Sequence, residues 1–388
     1  MLTVDVHTHF LPIDVLAAAR RGQGFDGMTA ERDAGQEWLV HRQGFRWPVP
    51  PVFYDLAARL ESMDQRGIDH AVLSAAPQLF MYWADASEAA GFCRAVNDEL
   101  AAFAAGSGGR ITAVATLPMQ DPGAAVTELR RTVAGLGMRG AEIGPDVAGT
   151  PLDDPGPRTV LAAAADLGVP LILHPYYVGA RPGLADFYLT NLIGNPLATT
   201  VCAARLIFSG ALDELAALRL VLTHGGGYLP YQIGRLDHGH RVRPEAQGCA
   251  HPPSAYLPAF WFDTVTHAPG PLRFLAELAG AGHVVYGTDY PFDMAAGPLT
   301  DQLAGAVVLV PPSGALPIGD PGPVRARVDL AAARLHLVHP GPDDVVSGVA
   351  TVSADHEPRV AVEYDVLVRV VAVARNDPDI VGTAAPVL

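Results

Sequence analysis

The sequence predicts a closed parallel (β/α)8 TIM barrel, an α/β fold, and three observations carry that prediction. Eight short apolar strand candidates alternate along the chain with alanine- and leucine-rich helical runs. The strands are near-continuous apolar runs, as expected of strands covered on both faces. Residues able to do chemistry fall at the C-terminal strand ends, where barrel enzymes hold their sites. A doubly wound open sheet is the competing topology, but no G-x-G-x-x-G follows the first strand.

The first strand, Leu2 to His9, reads L-T-V-D-V-H-T-H. Side chains two apart on a strand point the same way, so His7 and His9 share a face about 7 Å apart at Cα. That spacing suits two ligands of one divalent metal, although an H-x-H pair alone fits two structural histidines equally well. An insertion of about residues 21–51 follows, rich in Gly and Trp and without periodicity. Helix is expected over 55–65, 85–105, 122–135, 158–167 and most of 198–218. The intervening strands are expected at 70–75, 111–117, 140–144, 169–174, 218–224, 259–265 and 283–288. His174 then ends strand five, His224 ends strand six and Asp289 follows strand eight.

Beyond about residue 310 the pattern changes. Residues 311–323 are Pro- and Gly-rich and read as loop, 324–337 as a last helix, 340–344 as a linker and 360–374 as strand-like. The barrel is therefore expected over 1–338, with an extension of no assigned role over 339–388.

Composition bounds the function. With 388 residues, 49% hydrophobic and 17% charged, the chain can bury a large core. A net charge of −15 argues against nucleic-acid backbone binding, and no apolar run is long enough for a membrane span. The first strand carries Asp5 and histidines where a signal peptide has a basic start, so a cytoplasmic location is expected. Cys93, Cys202 and Cys249 lie far apart and read as reduced core residues. All 26 basic residues are arginine. The absence of lysine removes Schiff-base and pyridoxal chemistry, a P-loop and a carbamylated lysine between two metals; no organic cofactor is expected beside a divalent metal.

His7, His9, His174 and Asp289 form an N3O ligand set with a position left for water. It suits Zn²⁺ first, with Mn²⁺ or Fe²⁺ as alternatives. His224, one strand on, is the natural proton donor or acceptor. Gly225 to Gly227 read as space beside a small substrate. Phe292, Phe187 and Tyr188 read as pocket walls or as core.

Five ordered motifs identify a family: V-D-V-H-T-H-F-L-P, G-V-P-L-I-L-H-P, G-N-P-L-A-T-T, T-H-G-G-G-Y-L-P-Y-Q-I-G-R-L-D-H and Y-G-T-D-Y-P-F. Over residues 1–300 the chain resembles the amidohydrolase superfamily, and within it the aminocarboxymuconate-semialdehyde decarboxylase-like branch. The resemblance implies one catalytic zinc on His7, His9, His174 and Asp289, with His224 as acid–base residue. It also implies two carboxylate-binding arginines, Arg46 in F-R-W-P and Arg235 in G-R-L-D-H, the second reaching into a partner subunit's site in a homodimer. Arginine's fork suits that task. The family's closing G-N-A-x-R-L has here only A-A-A-R-L (331–335), without its asparagine.

The function expected is a metal-dependent, non-oxidative decarboxylase of a small unsaturated or aromatic carboxylic acid. Hydrolysis or hydration of a lactone, amide or enol-acid is the alternative on the same ligands. A catalytically silent barrel serving as a scaffold is a third reading, disfavoured by the intact ligand set.

Overall fold

The computed structural model describes residues 3–176 and 182–297, together with four short strands beyond them. The barrel strands are β1 (Val4–Phe10), β5 (His70–Ala75), β6 (Ile111–Ala113) with β7 (Ala115–Thr116), β8 (Ala141–Ile143), β11 (Leu171–Leu173), β12 (Leu220–Leu222), β13 (Phe260–Asp263) and β14 (Val284–Val285). They pair in parallel in two runs, β1-β5-β6 and β7-β8-β11-β12-β13-β14, while β9 (Asp146–Val147) and β10 (Thr150–Pro151) form a small antiparallel pair after β8. One seam is bridged because β6 and β7 are halves of a single stretch. Val114 N there donates to Leu73 O and Ala115 N to Gly140 O. The other seam is bridged by Val6 N to Tyr286 O and His9 N to Tyr290 O, 2.9 and 2.8 Å. Eight parallel strands therefore form a ring, as the sequence predicts.

Between them run α2 (Leu56–Gln65), α3 (Ala86–Ala105), α4 (Pro122–Leu136), α5 (Pro155–Leu167), α6 (Asn195–Phe208), α8 (Leu229–Val242) and α9 (Pro269–Ala279), with α1 (Ile13–Arg20) after the first strand. Asp55, Asp85 and Asp121 cap α2, α3 and α4 by accepting first-turn amides. The helix expected over 198–218 is broken: α6 ends before Gly210, in the left-handed region at φ 73°, and only a short α7 (Ala211–Glu214) follows.

The insertion is more ordered than its composition suggests. β2 (Thr29–Asp33), β3 (Gln36–Val40) and β4 (Arg46–Pro48) form an antiparallel sheet. Ala34 and Gly35, both at positive φ, make its two-residue hairpin turn. Leu39, Phe45 and Trp47 pack with Leu16, Phe53 and Leu79 in a second core, and Phe292 lies against it.

The C-terminal reading needs correction. Within the stretch 324–337, expected to be helix, β16 (Arg325–Asp329) and β17 (Arg334–Val338) pair antiparallel. Polar Arg325, Arg327 and Asp329 alternate with Ala326 and Val328, and that period of two outweighs the alanine content. Strand β15 (Val307–Val310) pairs with β18 (Val368–Val371), inside the expected strand-like 360–374. The expected loop 311–323 and linker 340–344 lie outside the described residues. The three cysteines are free and buried, as expected, and no described helix is long and apolar enough to cross a membrane.

Candidate metal centre

The strand ends bring His7, His9, His174 and Asp289 together, all buried, with one donor atom of each within 4.8 Å of the others. Asp289 Oδ1 lies 3.0 Å from His9 Nε2, 3.5 Å from His7 Nε2 and 3.8 Å from His174 Nε2. The histidine rings stand nearly edge to face at centroid separations of 4.9–5.0 Å.

Whether these residues suit a metal is decided by their other nitrogens. His7 Nδ1 is 2.7 Å from Asp263 Oδ2, His174 Nδ1 is 2.6 Å from Pro175 O, and His9 Nδ1 is 3.2 Å from Ser74 Oγ. With Nδ1–H donated outward, each Nε2 keeps its lone pair for the common centre. His7 Nε2 and His174 Nε2 are buried and have no hydrogen-bond partner. Two orphaned nitrogens aimed at one carboxylate fit a divalent cation bound between them. Burial holds the imidazoles neutral, with His9 and His174 each lowered to about 4. Asp289 is held well below the usual carboxylate range, its burial outweighed by His7 and the other histidines. Neutral imidazoles and an ionised carboxylate are the forms that ligate.

His224 stands beside this set, its Nε2 3.4 Å from Asp289 Oδ2. Burial lowers its basicity, but the hydrogen bond and charge of Asp289 prevail and raise its pKa. His224 and Asp289 both hold left-handed backbone, φ 56° and 63°, the kind of strain that collects at functional sites.

Phe292 walls the site, 5.1 Å from the His9 ring and 5.3 Å from Phe53. Phe187 and Tyr188 are not core: they are 86% and 56% exposed. The glycines after His224 do not clear space for a ligand. A Cβ would meet Thr266 from Gly225, the Phe262 ring from Gly226, and the Pro196 carbonyl at 2.2 Å from Gly227. Their task is to let the turn press against its own barrel. The two arginines are not drawn to the cluster. Arg46, on β4, pairs with Asp33 at 3.0 Å and lies over Trp38; Arg235 is exposed on α8.

Sequence reasoning missed several supporting residues. Asp263 accepts from His7 and, at 2.7 Å, from Gly225 N; a lone Asp ending an apolar strand was its only signal. Glu142 and Ser74 lie beside His9. Arg59 is buried on α2, donates to the His9 carbonyl and stands over Tyr290; nothing in an amphipathic helix announces it.

The amidohydrolase family model matches residues 4–316. The 2-amino-3-carboxymuconate-6-semialdehyde decarboxylase of Dictyostelium discoideum is 30% identical over 79% of this chain and 85% of its own length. The gamma-resorcylate decarboxylase of Rhodococcus jostii is 33% identical over 61% of this chain and 77% of its own. Among solved structures, 5-carboxyvanillate decarboxylase LigW from Sphingomonas paucimobilis superposes with a TM-score of 0.65 at 25% identity, covering 78% of this chain and 91% of that one. The family model and these relatives show that the chain belongs to the amidohydrolase family, in its aminocarboxymuconate-semialdehyde decarboxylase-like branch.

Proposed function

We propose that this chain is a metal-dependent, non-oxidative decarboxylase of a small unsaturated or aromatic carboxylic acid. The observation that carries the reading is the buried His7/His9/His174/Asp289 set with His224 Nε2 poised 3.4 Å from Asp289. Its relatives, several named as decarboxylases of such acids, favour carbon–carbon cleavage over hydrolysis. His7, His9, His174 and Asp289 would hold the metal, for which zinc is the first choice on a three-nitrogen, one-oxygen set. When bound it supplies Lewis acidity to polarise the substrate.

The protein's own residues then divide the work. His224, its imidazolium favoured by Asp289, delivers a proton to the carbon that loses CO2, so that R–COO⁻ and H⁺ become R–H and CO2. Phe292 and Phe53 exclude water on the β1 side. Asp263 and Ser74 keep His7 and His9 turned the right way. Arg46 would exchange Asp33 for a substrate carboxylate, and Arg235 would serve the site of a second copy. A homodimer is supported by the exposed apolar side chains Leu192, Ile193, Leu197 and Val201 and by Tyr231, 79% exposed on the same helix as Arg235.

The test pairs metal analysis with CO2 detection on 2-amino-3-carboxymuconate 6-semialdehyde and on 2,6-dihydroxybenzoate. About one zinc per chain and CO2 from either acid is the expected result. Asp289→Ala should lose metal and turnover together; full activity in that variant would overturn the assignment.

A further inference from the structure

Below the cluster the barrel interior is closed by Val6, Val72, Val114, Ile172, Val221 and Val285, one aliphatic side chain from each of six strands. The fourth strand, β8, departs from that rule. Glu142 stands there in register with Ile172, is 1% exposed, and neither carboxyl oxygen has a hydrogen-bond partner in the structure. A lone carboxyl at this level is costly for the fold, which asks what it does in return.

Its polar neighbours answer. Glu142 Oε2 lies 3.9 Å from His9 Nδ1. Ser74 Oγ in turn lies 3.2 Å from His9 Nδ1 and donates to Thr8 O at 3.2 Å. A hydroxyl whose proton goes to Thr8 has a lone pair left for the His9 N–H, so the Nδ1 side of His9 is faced by Ser74 Oγ and, farther off, by the Glu142 carboxyl. The other two imidazoles of the set each have an anchor on Nδ1, Asp263 for His7 and the Pro175 carbonyl for His174.

We infer that Glu142 is a positioning residue for the metal centre, acting with Ser74 on the Nδ1 side of His9 to hold that ring with Nδ1 protonated and the Nε2 lone pair facing inward. The inference deepens the proposed function and rests on its ligand set. A carboxyl kept only as packing would behave in the opposite way. Replacing it by a methionine would complete the aliphatic layer and leave metal binding unmoved.

The test measures zinc affinity by chelator competition, and the visible spectrum of the Co²⁺-substituted protein, for Glu142→Met, Glu142→Gln and Ser74→Ala. The expected result for Glu142→Met is affinity weakened about 10–100-fold with shifted Co²⁺ bands, while the metal-free Tm stays or rises. Glu142→Gln, which keeps a carbonyl acceptor facing the His9 N–H, should retain near wild-type affinity, and Ser74→Ala should reproduce the loss. Wild-type affinity in Glu142→Met would overturn the inference alone. Should that variant not fold, wild-type affinity in Ser74→Ala would do the same. Failure of the wild-type protein to take up zinc would overturn the metal centre and this inference with it.

Discussion

The His7 imidazole and the Asp263 carboxylate meet at 2.7 Å, Nδ1 to Oδ2, although 256 residues separate them in the chain. Asp263 is fully buried, and it stays ionised because His7, His224 and the Gly225 amide outweigh the cost of its burial. One carboxylate thus orients the imidazole of a candidate ligand and pins the start of the turn that carries His224. Asp263→Ala should weaken metal affinity about 10–100-fold and loosen the 224–227 turn. Chelator competition and hydrogen exchange at Gly225 read the two effects separately.

Gly287 makes that pair possible. A Cβ at this position would sit 2.9 Å from the Cβ atoms of both Asp263 and His7. Neither neighbour is a flexible tip, so strand and ligand must shift. Gly287→Ala should cost about 1–3 kcal/mol by overpacking and lower metal occupancy in the fraction that folds. Denaturant melts and metal analysis of the purified variant check both parts; wild-type values in both would show that the strand end tolerates the shift.

The H-x-H pair, His174, His224 and Asp289 were legible because strand ends are punctuated by polar residues after apolar runs. Asp263 and Glu142 end or interrupt strands in the same way, yet a single carboxylate carries no spacing that distinguishes a ligand, an anchor and a cap. The hairpin 29–40 was hidden because β2 is almost wholly polar, leaving only Ala34–Gly35 to signal it. The three glycines after His224 were legible as a close approach, but a sequence does not say what is approached. In β16–β17, alanine content spoke for helix against the alternation of arginines that prevailed.

The protonation of His224 should show in the stability of the metal-free protein. Burial lowers its basicity, but Asp289 raises it by more, so the folded pKa lies above 6.5. A base with a raised folded pKa stabilises the fold fully below its unfolded value and loses that contribution as pH rises through the folded one. The stability difference between metal-free wild type and His224→Gln should therefore be larger at about pH 6 than at about pH 9. Zinc should shrink the difference, because the cation draws on the same Asp289 carboxylate. A gap that widens with pH would contradict the sign argued from Asp289.

Phe292 separates the roles of wall and ligand. Its ring rests on His9 at 5.1 Å and on Phe53 at 5.3 Å, joining the β14 end of the barrel to the core of the insertion. It offers no donor atom, so Phe292→Ala should leave metal content unchanged, unlike any change at His7, His9, His174 or Asp289. Truncation removes the ring that covers His9 and admits water beside it, which weakens every electrostatic contact made there. KM should rise and kcat should fall, with kcat/KM reduced on the order of 10–100-fold if the wall supplies roughly 1.4–2.8 kcal/mol to the transition state. A larger residue restores the wall by volume alone, so Phe292→Leu should recover most of the loss while Phe292→Ser should not. Loss of metal in Phe292→Ala would instead mean that the ring braces His9 itself, and the wall and the ligand would be one structural unit.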